Sequence, residues 1–421
     1  MSSVVPEGWT KENIGSIFEK ISNGTTANQI ETENGESVTR IETISDGYIN
    51  FEKVGKIDII DAEKRYLMKQ GDILFSNINS VKHIGKVAFF NGEKPLFHGM
   101  NLLLFRANET LAHSKFIFNL MRSDDFRLEV SKRVKPAINQ ASISGGDLKE
   151  INFLSPPLPE QKKIASILTS VDEVIENTQK QIDKLQDLKK ATMNELLTKG
   201  IGHTEFKDSE LGRIPKSWEV GKLDSYISSI TSGWSPDCLP ESAKHTEWGI
   251  LKTTAVKWGG FNVEENKALP PHLEGRPQIS LTKGDVLVTR AGPIDRVGVI
   301  AFCNENHPKI MLSDKIIRIC SKTDELMGEF LSIWLSSHMA QRNMRAKISG
   351  MAEAQSNISQ DILKSVPIPI PNVSEQKEIA KVLRAIAEGI RGANLKLSQT
   401  QSLKKSLMQD LLTGKVRVTV N

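Results

Sequence analysis

The sequence contains one unit twice, and this repeat limits the chain to architectures made of two similar halves. Five short segments recur in the same order, and their displacement drifts only from 209 to 215 residues along the chain. The matched segments are residues 5–9 with 214–218, 70–77 with 283–290, 84–88 with 297–301, 140–144 with 355–359, and 160–165 with 375–380. Matches in conserved order with so little drift are not a coincidence of common dipeptides. The chain is therefore an internal duplication.

Each copy begins with a region of mixed character. Residues 72–75 and 285–288 are short runs of apolar and β-branched residues that follow a glycine, which predicts strands leaving a turn. Residues 115–130 and 325–347 carry the pattern of helical segments. The two mixed regions, residues 1–155 and 201–370, are predicted to be similar α/β domains.

Each copy ends with a long amphipathic segment, residues 156–200 in the first and 371–414 in the second. Apolar residues recur there at spacings of three and four, prolines precede both segments, and Gly200 and Gly414 stand where helices stop. Asn372 and Glu375 form a candidate capping pair at the start of the second segment. A helix of about 40 residues is about 60 Å long, too long to pack inside one compact domain. We therefore predict an α+β fold in which two long antiparallel coiled-coil helices join the two mixed domains, with a pseudo-twofold internal repeat.

Composition excludes several classes of protein. The 421 residues are 38% hydrophobic and 25% charged, and no apolar run reaches the ~20 residues of a membrane span. The N-terminal sequence lacks the pattern of a secretory leader, so we expect a cytoplasmic protein. Cys238, Cys303 and Cys320 lie far apart, which argues against disulfides and zinc sites. The net charge is only +4, so an acidic partner would have to meet a local basic surface.

Catalytic motifs are missing from the sequence. It has no GxxxxGK[ST] phosphate loop, no HExxH pair and no GxSxG motif. Gly85 and Gly298 lie in apolar runs, where strand or turn glycines are expected rather than a nucleotide cradle. We therefore expect no catalytic site, no bound cofactor and no metal.

Side chains suited to binding nucleic acid recur at equivalent places in the two copies. A polar loop follows the predicted central strand of each copy, and a basic cluster precedes a second polar loop. Arginine pairs well with guanine, asparagine and glutamine pair well with adenine, and lysines can anchor phosphates. The predicted DNA contacts are Arg40, Ser76, Asn77, Asn79, Lys132, Lys135, Gln140, Lys252, Thr289, Arg290, Lys347, Gln355 and Ser356. Taken singly, these residues also fit ordinary turns and a solvated helix face, but their recurrence favours DNA binding.

The doubled motifs resemble the specificity subunit of type I restriction-modification systems. They are the Pro-x-x-Trp opening, the Gly-Asp-(Ile/Val)-Leu strand, Gly-(Lys/Val)-(Val/Ile)-Ala, the Ile-Ser loop, and Glu-Gln-Lys-x-Ile-Ala opening a long helix. The resemblance covers nearly the whole chain. It implies that residues 1–155 and 201–370 are target recognition domains, each reading one half of a bipartite sequence in double-stranded DNA, and that the helices set the spacer.

The resemblance also implies partners. Two modification subunits that carry S-adenosylmethionine and methylate adenine would dock on the helices, and restriction subunits would join to cleave DNA. This chain lacks the Asn-Pro-Pro-(Tyr/Phe) motif of the methyltransferases, which agrees with a non-catalytic role. The alternative is a symmetric coiled-coil scaffold that joins two protein-binding modules without a DNA role; the missing motifs disfavour an autonomous DNA-modifying enzyme. A neighbouring gene encoding such a methyltransferase would distinguish the first two readings.

Overall fold

The computed structural model describes residues 5–31, 34–58, 64–80, 83–137, 140–258, 260–347 and 356–420. The chain forms two compact units. Unit 1 consists of Met1–Gln179 together with Leu395–Asn421, and unit 2 consists of Lys180–Asn394. Within the described ranges, no helix is both long and apolar enough to cross a membrane.

Unit 1 contains eleven of the described strands, three short helices and one part of each long helix. The strands are β1 (Thr10–Asn13), β2 (Phe18–Asn23), β3 (Glu36–Val38), β4 (Gly55–Ile57), β5 (Ile73–Phe75), β6 (Ile78–Asn79), β7 (Val87–Phe89), β8 (Leu103–Ala107), β9 (Lys135–Ala137), β10 (Gln140–Ser142) and β11 (Asn152–Ser155). The helices are α1 (Ser114–Arg122), α2 (Asp124–Arg133), α3 (Gly145–Lys149) and α4 (Leu158–Lys199), of which α4 continues into unit 2.

The main sheet of unit 1 has the strand order β2-β8-β5-β7, with every pairing antiparallel. The inner strand β5 is fully buried, and its alternate side chains enter two separate cores. Ile73 and Phe75 pack against α1 and the start of α4, whereas Leu74 packs on the other face. Burial on both faces explains why the sequence of β5 is a continuous apolar run.

Unit 2 contains sixteen described strands and three short helices besides its parts of the long ones. The strands are β12 (Phe206–Ser209), β13 (Gly212–Pro215), β14 (Glu219–Lys222), β15 (Ile227–Ser232), β16 (Gly249–Leu251), β17 (Val256–Lys257), β18 (Gly260–Phe261), β19 (Asn266–Ala268), β20 (Ser280–Leu281), β21 (Val286–Thr289), β22 (Ala291–Gly292), β23 (Ile300–Phe302), β24 (His307–Met311), β25 (Ile316–Ser321), β26 (Ser356–Asn357) and β27 (Pro367–Ile370). The helices are α5 (Gly328–Ser336), α6 (His338–Arg345), α7 (Gln360–Lys364) and α8 (Val373–Leu412), of which α8 continues into unit 1.

The main sheet of unit 2 repeats the topology found in unit 1. Its order β15-β25-β21-β23 matches β2-β8-β5-β7 strand for strand, and β14 pairs with β27 as β1 pairs with β11. A second four-stranded sheet, β19-β16-β24-β20, lies beside it. Unit 1 has a smaller counterpart, in which β3 pairs with β4 and single bridges join Val38 and Leu67 to Phe97. The predicted α+β fold with two similar mixed domains is confirmed by this repeated topology.

The repeated Gly-Asp dipeptide forms the turn that enters each central strand. Gly71 and Gly284 have φ of 96° and 101°, a left-handed conformation that favours glycine. The next residue closes the turn, because Asp72 Oδ2 accepts a hydrogen bond from the Lys69 amide at 2.7 Å. In unit 2, Asp285 Oδ2 accepts the equivalent bond at 2.8 Å. Part of the sequence repeat is therefore a turn motif.

Each of the predicted helical segments, residues 115–130 and 325–347, forms two helices in the structure. Ser123 separates α1 from α2, and Ser337 separates α5 from α6. Both serines have extended backbone, and their hydroxyls accept hydrogen bonds from the amides of Phe126 and Ala340 at 3.2 and 3.3 Å. The predicted helical segments are each divided in two because a serine that caps one helix ends the helix before it.

The two long helices run antiparallel to each other within each unit. In unit 1, Asp172 of α4 binds Lys404 of α8, and Glu160, nearer the start of α4, binds Arg417 beyond the end of α8. In unit 2, Leu185 lies beside Gly389, which α8 accommodates without a break. The antiparallel pairing predicted from the apolar periodicity is confirmed.

Candidate nucleic-acid interface

Each central strand leads into a small ladder that joins two of the segments predicted to bind DNA. In unit 1, β6 pairs with β10, so that Asn79 lies opposite Ala141. In unit 2, β22 pairs with β26, which places Gly292 opposite Ser356. The two segments of each ladder are more than 60 residues apart in the chain. The structure brings them together at the same position in both units.

In unit 1, the polar side chains of this ladder that reach solvent are Asn79, Gln140 and Lys135. Gln140 is exposed on β10, and Lys135 is exposed on the neighbouring strand β9. Asn79 is partly buried and donates from Nδ2 to Ser76 Oγ at 3.2 Å. Asp147 lies 3.5 Å from Lys135 Nζ. The three-stranded surface β6-β10-β9 thus carries amide groups and one paired lysine.

Carboxylates offset part of the positive charge in unit 1. Lys132, at the end of α2, is ion-paired with Glu129 at 2.5 Å, and Arg133 binds the same carboxylate. Hydrogen bonds from Lys132 and Arg133 lower the pKa of Glu129. The pKa of Asp147 is lowered chiefly by its hydrogen bond with Ser144. Both carboxylates therefore stay ionised at neutral pH, and a phosphate bound by these cations would have to compete with them.

In unit 2, the equivalent ladder presents Arg290. The Arg290 amide donates to the Lys315 carbonyl at 2.8 Å, and the Arg290 carbonyl accepts from the Ile358 amide at 2.9 Å. Its backbone is therefore fixed on both sides by neighbouring segments. Within the described part of the chain, its guanidinium has no hydrogen-bond or ion-pair partner, so its donors are available to a ligand.

The other predicted DNA contacts of unit 2 do not all lie on the ladder. Lys347 is exposed and donates to Ser365 Oγ at 3.0 Å, with no carboxylate partner among the described residues. Gln355 lies outside the described residues. The structure therefore brings Arg290 and Ser356 to one ladder and leaves Lys347 two residues beyond the end of α6.

Arg40 and Lys252 occupy equivalent positions, each preceding a short 3-10 helix, Ile41–Ile44 or Thr253–Ala255. A basic side chain ties each of these helices to the segment before β7 or β23. Lys86 Nζ donates to the Ser45 carbonyl at 2.5 Å, and Arg296 Nη2 donates to the Thr253 carbonyl at 3.2 Å. Sequence reasoning missed these two tethers because they join segments 41 and 43 residues apart in the chain.

Four of the predicted contacts are buried instead of facing solvent. Ser76, Asn77, Thr289 and Ser356 expose 1%, 7%, 0% and 5% of their surface. Thr289 Oγ1 donates to the Arg296 carbonyl at 2.5 Å and accepts from the Val299 amide at 2.9 Å. These side chains hold the end of the central strand against its neighbours. In this conformation they support the ladder and do not present groups to a base.

Unit 2 also contains a large groove at the opposite end of β21 from Arg290. Its volume is about 1830 Å³, and it is bounded by α4, α5 and α8. Apolar side chains such as Phe302 and Leu383 share its lining with Lys189, Lys190 and Arg391. Burial, together with the nearby Arg391 charge, lowers the pKa of Lys189. A groove that mixes apolar and basic side chains suits a protein segment better than a base edge.

The described residues offer no group of three or more His, Cys, Asp or Glu side chains that could hold a metal ion. The three cysteines are unpaired, and burial raises the pKa of the Cys303 thiol to about 11. A thiol with so high a pKa is a poor nucleophile at neutral pH.

Comparison with known proteins gives consistent matches along the chain. The family model of the type I restriction modification DNA specificity domain matches residues 6–187 and 260–398. A protein named as the type I restriction enzyme MjaX specificity subunit of Methanocaldococcus jannaschii is 36% identical over 422 residues, which cover 98% of this chain and 95% of that protein. The MjaVIII specificity subunit of the same organism is 30% identical, and the match covers 98% of this chain and 94% of that protein.

A solved structure has the same fold. The S subunit of a type I restriction-modification system from M. genitalium aligns with a TM-score of 0.61 at 16% sequence identity. The alignment covers 98% of this chain and 97% of that one. At this identity the likeness concerns the fold alone.

Proposed function

The chain belongs to the family of type I restriction modification DNA specificity domains, and from that premise we propose how it reads DNA. It is a non-catalytic specificity subunit that recognises a DNA sequence for its restriction-modification system. Its partners are DNA and a methyltransferase subunit. The proposal concerns the residues that read the DNA and the number and position of the partners.

Each unit reads one half of a bipartite target through the ladder that follows its central strand. The observation that carries this proposal is the recurrence of the ladder in both units with hydrogen-bonding side chains on it or next to it. Gln140 is exposed, and Asn79 and Arg290 are partly exposed. In unit 1 the proposed base contacts are Asn79 and Gln140, and in unit 2 the proposed base contact is Arg290. An amide side chain suits adenine, and a guanidinium suits guanine. Ser76, Asn77, Thr289 and Ser356 support the ladders from beneath.

The lysines beside the ladders hold the DNA backbone. Lys132, Lys135 and Lys347 are exposed cations. Lys135 lies on β9 of the ladder in unit 1, Lys132 lies near the end of α2 just before it, and Lys347 lies two residues beyond the end of α6 in unit 2. Arg40 and Lys252 belong to the same group because each precedes a 3-10 helix tied to its sheet. Contacts of this kind fix the position of the duplex without reading its sequence.

Two methyltransferase subunits bind the long helices, one for each repeat, and carry the S-adenosylmethionine. The groove of unit 2 supports this proposal because its walls include both long helices and its lining is partly apolar. Restriction subunits join the same core. Residues 1–155 and 201–370 act as the two recognition domains, and residues 156–200 and 371–414 set the spacer between the half-sites.

Retention of DNA by a reconstituted complex tests the proposal. The chain is co-expressed with the methyltransferase subunit of its system, and the purified complex is mixed with unmethylated genomic fragments at 50 and 200 mM salt. We expect selective retention of fragments that share a bipartite sequence, and methylation of adenine within it. Assembly of the complex without any DNA retention would support a protein-binding scaffold instead.

A further inference from the structure

A second arginine of unit 2, Arg276, is held by the same stretch of chain as Arg290. The Arg290 amide donates to the Lys315 carbonyl at 2.8 Å, and the Trp234 amide donates to the Leu312 carbonyl at 3.0 Å. The Arg276 amide contacts Met311 Sδ at 3.1 Å. Residues 311–315 are the end of β24 and its connection to β25. They thus anchor the segments that contain Trp234, Arg276 and Arg290. They bring Arg276 and Trp234 to the end of the sheet where Arg290 lies.

The guanidinium of Arg276 stacks on the indole of Trp234. Arg276 Cζ lies 3.7 Å from the ring centroid, and Arg276 is exposed while Trp234 is partly buried. Trp234 packs against a small core that contains Ile250, Leu269 and Met311, so the platform beneath the arginine is rigid. A cation over the face of a tryptophan is attracted by the ring quadrupole, and the stack restricts the rotation of the guanidinium.

The donors of Arg276 are unused. Among the described residues, only the main chain of Arg276 has a hydrogen bond, and its guanidinium has no ion-pair partner. Asp314, in the same connecting segment, accepts a hydrogen bond from the Ser235 hydroxyl and forms no ion pair with an arginine or lysine among the described residues. A planar fork of N–H groups is therefore held in one orientation and faces solvent without a protein acceptor.

We infer that Arg276 is a second base-reading residue of unit 2 and that it recognises a guanine through O6 and N7. This inference rests on the proposed function of the chain in reading DNA. A phosphate contact needs only a mobile positive charge, as lysines provide, whereas a base edge needs donors in a fixed plane. The Trp234 stack supplies that fixed plane. Trp234 is then a positioning residue that acts through Arg276.

Base substitution in the half-site read by unit 2 tests the inference in the assembled complex with its methyltransferase. Binding is measured on a set of duplexes in which each position of this half-site is changed in turn. Arg276→Ala should reduce discrimination at one guanine by about 5- to 150-fold, which corresponds to ~1–3 kcal/mol for a bidentate pair. Arg276→Lys should lose the same discrimination, because it keeps the charge and lacks the fork. Discrimination in the other half-site should be unchanged.

Arg213→Ala is the matched control. Arg213 also lies over an aromatic ring in unit 2, with Cζ 5.6 Å from the centroid of Phe206, but it belongs to the β12–β13 hairpin. This variant should bind every duplex as the wild type does. The thermal unfolding midpoint of each variant shows whether its fold is intact.

Two results would overturn the inference. If Arg276→Lys binds like the wild type while Arg276→Ala loses affinity equally for all duplexes, then Arg276 contacts phosphate. If Arg276→Ala keeps full discrimination in a complex whose wild type discriminates, then Arg276 does not read DNA, although the proposed function stands. A wild-type complex that fails to discriminate between the duplexes contradicts the proposed function and this inference together.

Discussion

A buried carboxylate near the start of each long helix binds the tryptophan that opens the same copy of the repeat. Glu160 accepts a hydrogen bond from Trp9 Nε1 at 3.2 Å and binds Arg417 at 2.7 and 2.9 Å. Glu375 accepts from Trp218 Nε1 at 3.0 Å. A buried carboxylate is stable only when its oxygens are hydrogen bonded, so the tryptophan and the glutamate recur as a pair. This contact explains why the Pro-x-x-Trp and Glu-Gln-Lys motifs, 151 and 157 residues apart, are both repeated.

Arg290 and Lys132 should respond differently to removal of the side chain. Arg290→Ala should cost ~1–3 kcal/mol on the cognate sequence and relax specificity at one position, because a bidentate base contact is lost. Lys132→Ala should weaken binding to every sequence and reduce the slope of log K against log salt by about one, because one phosphate contact is lost. Salt titrations on cognate and scrambled duplexes measure both effects. Equal losses on the two duplexes for Arg290→Ala would reassign this residue to the backbone.

His98 should make unit 1 sensitive to acid. Burial lowers the pKa of His98 to about 4, and Nε2 lies 2.9 Å from the Leu102 carbonyl. The unfolded chain takes up this proton near pH 6.5 and the folded chain only near pH 4, so stability is highest above pH 6.5 and falls between these values. The expected loss is about 3 kcal/mol, from ~1.4 kcal/mol for each unit of lowered pKa.

Hydrogen exchange of the β8 amides at pH 7 and pH 4.5 measures this loss, with His98→Gln as the comparison. A glutamine amide can still donate to the Leu102 carbonyl but does not titrate. The variant should therefore keep its protection at pH 4.5 relative to the wild type. The same loss of protection in both proteins would show that other groups cause the acid sensitivity.

At the scale of elements, periodicity predicted the long helices well and the short ones poorly. A stripe of apolar residues over about 40 positions specifies one continuous helix, and the observed Leu158–Lys199 and Val373–Leu412 follow it through Gly389. The breaks at Ser123 and Ser337 depend on a single side chain bonding to the backbone, which periodicity does not contain. The second sheet of unit 2 and its smaller counterpart in unit 1 lie outside the five repeated segments, so self-similarity could not reveal them.

The length of the paired helices should set the gap between the half-sites. Four residues added after Gln186 in α4 and after Glu388 in α8 insert about one turn in each, ~6 Å, and keep the apolar stripes on nearly the same face. One helical turn of B-DNA, 10–10.5 base pairs, spans ~34–36 Å. We expect the gap in the methylated sequence to grow by one or two base pairs, with both half-sites unchanged. Sequencing of methylated adenines measures the gap.

Insertion of two residues at the same places is the control. It rotates each stripe by ~200°, which separates the apolar faces and should abolish assembly and methylation. An active four-residue variant with an unchanged gap would show that these helices do not determine the spacing.

For the whole molecule, the internal repeat predicted more than any single motif. It indicated where the ladders would lie, because the same segments recurred in the same order in both halves. It did not reveal which polar residues of a ladder face solvent. Ser76 and Thr289 have the side chains of base contacts, yet both are buried beneath the ladder. Thr289 Oγ1 bonds to the neighbouring backbone, and Ser76 Oγ accepts from the Asn79 side chain. Arg276 stood outside the repeat, and only the structure showed that the same stretch of chain holds it and Arg290.

The central claim is that this chain determines a DNA sequence in two separate halves, one for each unit. Replacing residues 10–150 with the equivalent segment of a relative keeps both long helices and exchanges the ladder of unit 1 alone. Genome-wide sequencing of methylated adenines in cells that carry the exchanged chain tests the claim most directly. We predict that one half of the methylated sequence changes to that of the relative while the other half stays the same. A change in both halves, or in neither half of an active complex, would contradict it.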